Sequence, residues 1–391
     1  MQLVVTTGSG SMDRYSQHLR RHMPDVSVLE SDIYGKIAEC FNTSWFSTTA
    51  ARVLWRDRQF GKELSTLTEP AHLPNHHLGR YAGALNVPYV ITVHDLIRYF
   101  DMSREIPLIH KPNARDRVYL KRDVAGIKNA TGIIAVSLTT KYDLMEYLGI
   151  PEERIHVVYE GVAHERFQPG GSDTFPFPYI LYVGSEHPRK NVPELLAALR
   201  EVKDSGIAPD LKLVKVGKAG GAEDDFRGQT RREIERLGLS DSVVFAGRIS
   251  DRELVDMYSS ALCTVLPSLY EGFGLPVLEA MACGSPVIVS SGGSLPEIAG
   301  DAGIVVSPRD PSALAGAITS MLTNSSRRER MVERGLARAA TFSWERTALE
   351  TRRVYEMIEA DYMETVPAAP RPVAIGERTP GIRLGAARKP A

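Results

Sequence analysis

Residues 270–284 read Tyr-Glu-Gly-Phe-Gly-Leu-Pro-Val-Leu-Glu-Ala-Met-Ala-Cys-Gly, with two glutamates eight positions apart across a glycine-framed loop and a short helical run. Directly before them, CTVLPS at 263–268 has the composition of a buried strand. Pro276 suits the first turn of a helix, where its missing N–H would have no partner anyway. The spacing predicts a helix to about Cys283 that stops at Gly284, with Pro286 opening the next strand. Gly272, Phe273 and Gly274 then form the loop leading to Leu275, where glycines let backbone N–H groups approach a ligand and the helix N-terminus favours anionic oxygens. Glu271 stands just before that loop and Glu279 in the first helical turn. Carboxylates accept hydrogen bonds from hydroxyls, so the pair suits a polyhydroxylated ligand with a phosphate between its two ends. The plainer alternative is that Glu279 complements the helix dipole, worth about 0.3–1 kcal/mol, and that Glu271 is a solvated loop residue. The glycines, the proline and the strand, all at fixed spacing, favour the site.

Outward from this unit, short β-rich runs alternate with longer amphipathic segments. LVVT begins at residue 3, YVITV covers 89–93 and GIIAVS 132–137; YILYVG covers 179–184, LKLVKVG 211–217, SVVFAG 242–247 and PVIVSS 286–291. Such alternation predicts βα units on parallel sheets. It pauses at 166–178, where Pro169-Gly170-Gly171 is followed by Pro176 and Pro178, a linker composition. The chain of 391 residues also exceeds what one core usually serves. The expectation is an α/β protein of two Rossmann-like domains facing a cleft, 1–168 and 169–345, then a charged amphipathic helix at 346–363 and a disordered tail at 364–391.

The net charge of -1 gives no support to a dedicated nucleic-acid binder. Cys40, Cys263 and Cys283 lack metal-ligand spacing and fit free thiols in a reducing compartment. No signal peptide or membrane-spanning run is legible, so a cytoplasmic protein is expected. Residues 101–123 carry six Lys or Arg against four acids, a stretch that could dock peripherally on an anionic inner membrane face but reads more simply as a solvated loop and helix. Nothing in the sequence fixes an oligomeric state.

A second strand end repeats the logic of the first. After YILYVG, Ser185-Glu-His-Pro-Arg-Lys-Asn191 leads into VPELLAALREV, with Asn191 and Glu194 at capping-box positions. Arg189 and Lys190 are thereby held at the carboxyl end of a strand, the edge where open α/β sheets bind ligands, and two fixed cations there suit a diphosphate. Ser294-Leu-Pro-Glu297 also fits a capping box and is read as structural. In the first half, TTGSGSMD at 6–13 supplies Gly8 and Gly10 for a loop that could hold phosphate or sugar oxygens, though Asp13 stands where a third glycine would complete the dinucleotide fingerprint. YVITVHDL puts His94 and Asp95 at a strand's cleft end, where a histidine can donate to a sugar hydroxyl or assist a departing charge. His72, His76 and His77 read more simply as structural.

VITVHDL, IIAVSLTTKYDL, RIHVVYEGV, YVGSEHPRKN, VVFAGRIS and the run from PSLYEGFGLPVLEAMACGSPVIVS to GGSLPEIAGDAGIVVSP together resemble the retaining glycosyltransferases of the GT-B fold, family four (glycosyltransferase group 1). The resemblance implies that the first domain is the acceptor side, that the second binds the nucleotide-sugar and that the helix at 346–363 crosses back over the domains. It implies that Glu271 meets the transferred sugar and Glu279 the ribose. It also implies that the amides of Phe273 to Leu275 meet the sugar or phosphate, Arg189 and Lys190 the diphosphate, Arg248 and Ile249 the base, and that His94 faces the sugar from the other domain. It further implies a nucleotide-diphospho-sugar donor, a hydroxyl acceptor that is a glycan, a lipid-linked sugar or a small molecule, and chemistry that retains anomeric configuration with no metal cofactor; no Asp-x-Asp occurs in the chain. Glu160-Gly-Val-Ala163 departs from the family's Asn-Gly-Val-Asp, and the N-terminal loop lacks Gly-Gly-Ile-Gly. A sugar phosphorylase, a nucleotide-sugar epimerase and a non-catalytic subunit share the fold and stand as alternatives.

Overall fold

The computed structural model describes residues 1–6, 10–31, 49–103, 107–171, 174–220 and 225–365. Gly8, Cys40 and the tail from residue 366 lie outside the described residues, as do 104–106 of the basic stretch. Among the described residues, twelve parallel strands form two sheets of six. The first sheet comprises β1 (Gln2–Thr6), β2 (Ser27–Ser31), β3 (Ala71–Leu73), β4 (Tyr89–Val93), β5 (Gly132–Ala135) and β6 (Ile155–Val157), in the order β2-β1-β3-β4-β5-β6. The second comprises β7 (Tyr179–Val183), β8 (Lys212–Val216), β9 (Val243–Gly247), β10 (Cys263–Leu266), β11 (Val287–Ser290) and β12 (Gly303–Val306), in the order β12-β11-β10-β7-β8-β9. β2, β3, β6 and β12 were not legible in the sequence. β3 and β6 have only three residues each, and β2 reads Ser-Val-Leu-Glu-Ser, too polar to stand out.

Strand order reverses between β7 and β10, so the loops leaving those two strands diverge and open a crevice at their carboxyl ends. These loops carry Arg189, Lys190 and Glu271. The helix Leu275–Ala282 runs as the spacing predicted, with Gly274 before it at φ 113° and Gly284 after it at φ 78°. Val277, Leu278, Ala280 and Met281 are fully buried in the second half's core, each large aliphatic side chain contributing about 1.5–3 kcal/mol. Glu279 is its fifth residue and so sits in the second turn, one turn later than expected.

The helix Trp344–Thr365 returns to the first sheet. Val354 and Ile358 pack with Val90, Ile134 and Val158, and the Trp344 ring stacks on His18 at 4.3 Å. Arg352 binds Asp25 at 2.6 Å, while the Thr347 hydroxyl donates to the Tyr159 carbonyl at 2.7 Å. The helix that follows the second half is therefore built into the first half. Among the described residues no helix is long and apolar enough to cross a membrane.

Candidate functional site

The loop after β10 is shaped from behind by Ser294. Its N–H donates to the Glu271 carbonyl at 3.0 Å and its hydroxyl to the Phe273 carbonyl at 2.6 Å. The Ser294 side chain thus bonds the loop and not its own helix; the capping box read from Ser294 and Glu297 does not form. The loop after β7 is stitched alongside. The Leu269 N–H donates to the Arg189 carbonyl at 2.6 Å, and the Asn191 amide donates to the carbonyls of Pro267 at 3.0 Å and Pro308 at 2.6 Å. Asn191 makes no cap bond and sits at φ 56°, the only non-glycine residue at positive φ among those described; it ties loops together where capping was expected. Glu186 anchors the same loop, buried against Lys215 and Arg227 at 2.7 Å each.

These ties hold Glu271 against two cations. Arg189 Nη1 and Lys190 Nζ each lie 2.6 Å from a different carboxylate oxygen, and the Ser268 hydroxyl donates at 2.6 Å. Burial alone would raise the carboxyl's pKa, but Arg189, Lys190 and Ser268 outweigh it and hold it at about 2. Burial also lowers the Lys190 ammonium, partly offset by Glu271. Arg189 Nε is buried with no partner among the described residues, a donor that costs roughly 1–3 kcal/mol until it is satisfied. Glu279, at the other end of the helix entrance, accepts from the Tyr258 hydroxyl at 3.0 Å. Burial raises its pKa, with Arg14 and Tyr258 pulling against it.

Facing this wall is the end of β4. A Cβ at Gly272 would collide with the His94 carbonyl oxygen, so only glycine lets the two halves meet there. Ser137 seals the contact, its hydroxyl donating to the Gly272 carbonyl at 2.8 Å. Glu297 reaches across as well, accepting from the N–H groups of Leu138 at 2.7 Å and Thr139 at 3.2 Å, and so caps the first half's helix Leu138–Leu148. Tyr270 of the second half donates to Asp143 of the first.

The His94 ring is fully engaged. Nδ1 lies 2.8 Å from Glu160 and Nε2 3.0 Å from the Pro74 carbonyl, so neither nitrogen is left to donate to a sugar in this arrangement. Two acceptors favour the doubly protonated ring. Burial lowers the pKa, but Glu160, the Pro74 carbonyl and Asp95 together raise it. The His94 N–H donates to His76 Nδ1 at 3.3 Å, which requires a neutral His76, and burial pushes His76 well below the usual histidine range. His72 is likewise neutral, lowered to about 3 by burial, and joins Thr92 to Tyr355.

The walls enclose a cleft of about 450 Å³ that brings together His94, Arg189, Lys190, Glu271, Gly272, Phe273, Gly274, Leu275 and Glu279. Three expected contacts lie outside its lining. Arg248 is exposed, Ile249 is half-buried against the core, and Gly10 is the exposed N-cap of the helix Ser11–His22. That helix contributes Ser11, Met12 and Arg14 instead. Arg14, one turn after Gly10, and Glu160 were missed; the only signal for Glu160 was the departure from Asn in the Glu160-Gly-Val motif.

Residues 173–338 match the family described as Glycosyl transferases group 1, and residues 44–166 match Glycosyltransferase Family 4. The chain is 32% identical over 278 residues to O-antigen chain mannosyltransferase B of Escherichia coli, covering 68% of this chain and 72% of that one. It is 32% identical over 284 residues to MMP alpha-(1->4)-mannosyltransferase of Mycolicibacterium hassiacum, covering 70% and 66%. With D-inositol 3-phosphate glycosyltransferase of Acidothermus cellulolyticus it shares 31% over 281 residues, covering 69% and 62%. In fold it is similar to sucrose-phosphate synthase from Thermosynechococcus elongatus (TM-score 0.73, 22% identity, 92% of this chain and 100% of that one). Anabaena HepE in complex with UDP-glucose is a comparable neighbour (TM-score 0.73, 18% identity, 92% and 100%).

Proposed function

The chain belongs to the group 1 glycosyltransferases, and from that premise we propose that it moves a hexosyl or N-acetylhexosaminyl group from a nucleotide-diphospho-sugar to a hydroxyl acceptor, with retention and without a metal. The observation that carries this reading is the Glu271–Arg189–Lys190 cluster facing the helix start at Leu275. Arg189 and Lys190 bind the diphosphate, Glu271 orients both cations and accepts from sugar hydroxyls, and Glu279 accepts from the ribose. The bond from the anomeric carbon to the diphosphate oxygen breaks with its electron pair leaving on the diphosphate. Arg189, Lys190 and the amides of Phe273 to Leu275 stabilise that charge without rearranging. The acceptor oxygen bonds to the anomeric carbon on the face just vacated, and its proton passes to the departing diphosphate. His94, its ring held by Glu160 and the Pro74 carbonyl, shapes the opposite wall. The mannosyltransferases among the relatives make a mannosyl donor the first to test.

A thermal-shift screen with UDP-, GDP- and ADP-sugars tests donor use, since a ligand binding only the native state raises its stability by mass action. One base should give a clear shift, and nucleoside diphosphate should then be released only when an acceptor is present. Release requiring inorganic phosphate, or sugar inversion without release, would instead indicate a phosphorylase or an epimerase. We further propose peripheral contact with anionic membrane through Arg115, Lys121 and Arg122 around Val118, all exposed on the helix Ala114–Asn129. Salt-sensitive sedimentation with phosphatidylserine vesicles supports it, and no sedimentation at low salt rejects it.

A further inference from the structure

A second cavity, of about 400 Å³, opens in the first half beside the cleft, within the roughly 300–1,000 Å³ of small-molecule sites. Ile109 lines this cavity, and Leu108 beside it bonds to Arg189, which lines the cleft. The Leu108 carbonyl accepts from the Arg189 N–H at 2.8 Å on the cleft side, and Asp101 pins the segment from below, accepting from the N–H groups of Leu108 at 2.5 Å and Ile109 at 3.3 Å. His77 lines the cavity and His94 the cleft, with the His76 ring 4.2 Å from the first and 6.3 Å from the second. Arg98 lines the cavity one turn after Asp95, which lines the cleft. Both spaces therefore open at the carboxyl edge of one sheet.

The cavity's charges cancel. Asp123 grips Arg80 through both oxygens at 2.7 and 2.5 Å, Asp101 holds Arg98 at 2.5 Å, and Asp57 holds Arg56 at 3.3 Å. With Asp116 also in the lining, an anion meets no surplus of positive charge. What the walls offer is planar and fixed. The hydroxyls of Tyr81 and Tyr119 both donate to Asp57, at 2.8 and 2.6 Å, and the Arg80 guanidinium lies 4.5 Å from the Tyr119 ring centroid. Asn75 also lines the cavity, its oxygen accepting from the His77 N–H at 2.9 Å. Planar amide, carboxylate and guanidinium groups pair with neighbouring hydroxyls, and tyrosine rings offer apolar faces to the C–H faces of a pyranose. We propose that this cavity is a subsite for a neutral glycan acceptor, holding a sugar residue away from the hydroxyl that is glycosylated; the assignment rests on the glycosyl-transfer reading and specifies its acceptor class.

Binding of α-linked trisaccharides of mannose, glucose and galactose, and of their methyl monosaccharides, to the donor-free full-length protein tests it by calorimetry and saturation-transfer NMR. At least one trisaccharide should bind about tenfold tighter than its monosaccharide, the gain that one or two added hydrogen bonds supply. Tyr119→Ala should abolish that gain while leaving the Kd for nucleoside diphosphate unchanged. So should Asn75→Asp, which keeps the oxygen that caps His77 but removes the amide donor. Equal binding of trisaccharide and monosaccharide by the unaltered protein, or a length dependence that survives both substitutions, overturns the subsite. So does inorganic phosphate binding that Tyr119→Ala removes. Because no donor enters the measurement, a failed donor screen and a failed subsite are read from different experiments.

Discussion

The two ends of the cleft hold their carboxylates under opposite conditions. Glu271 and Glu279 are equally withdrawn from solvent, 7% and 9% exposed, so burial alone cannot explain why one carboxyl is held at about 2 and the other is raised. The difference is in partners. Glu271 has two cations and a hydroxyl within hydrogen-bonding distance, whereas Glu279 has one tyrosine hydroxyl and a more distant Arg14. A carboxylate built into an ion cluster is finished before ligand arrives. One left short of donors has room for a ligand's, and a ribose diol has two hydroxyls to give. On the proposed function, the end that takes the sugar is thus preorganised and the end that takes the nucleoside is not.

Neutralising the finished end should have the largest effect. Glu271→Gln leaves Arg189 and Lys190 buried without their counter-charge; turnover should fall roughly 100-fold or more, the scale of losing one preorganised charge contact, and stability by about 3 kcal/mol. Turnover and denaturant midpoint measured together check this, and unchanged turnover would remove Glu271 from the site. Glu279→Gln should behave in the opposite way. Removing a charge that is costly to bury should leave the melting temperature equal or higher, while donor KM rises about tenfold and kcat holds; a lowered melting temperature would break the contrast.

Titration sharpens it further. Glu271's depressed pKa gives stability that is present above the unfolded value near 4.5 and lost as pH falls toward 2. Glu279's raised pKa gives stability that is present below that unfolded value and lost as pH rises through its folded one. A diol that donates to the ionised Glu279 reverses the second trend. Nucleoside diphosphate affinity should therefore increase with pH up to the raised value, by at most about tenfold per unit, and then level off; Glu279→Gln should flatten the curve. Calorimetry from pH 4.5 to 8 measures it, and identical curves for the two proteins would exclude the role. The smallest effect is expected at the contact between the halves. Glu297→Gln weakens a cap worth about 1 kcal/mol, so donor KM should rise a few-fold and amides 138 and 139 should exchange faster in deuterium. Unaltered exchange would mean that the carboxylate does not hold the halves together.

The second half of the cleft was legible because its chemistry is local. Strand, glycine loop, Pro276 and helix follow one another within about twenty residues, and each is dictated by backbone rules acting over a few positions. Even there, side-chain partners were misread: Asn191, Ser294 and Glu297 have the right identities for caps but bond to loops and helices brought close only by the tertiary fold. The opposite wall was harder to read. His94 was found from its strand, yet its partners Glu160 and Pro74 come from distant segments, and β3, which delivers Pro74 and the histidines after it, is three residues long. Arg14 lines the cleft from the first turns of the helix Ser11–His22, facing Glu279 from the other half, a pairing that no local pattern encodes.

The bond from Glu297 to the helix starting at Leu138 bears on recombination between relatives. Halves exchanged between members of a family with a shared architecture are often treated as interchangeable modules, with the junction placed in the linker. Here one half carries the cap for a helix of the other, the Gly272 carbonyl is bonded by Ser137, and the helix Trp344–Thr365 is fastened to Thr92 through Tyr355 and His72. A hybrid cut at residue 168 would separate all three attachments from their matching surfaces. Moving residues 137–139 together with the second half, and the Trp344–Thr365 helix together with the first, would keep them paired.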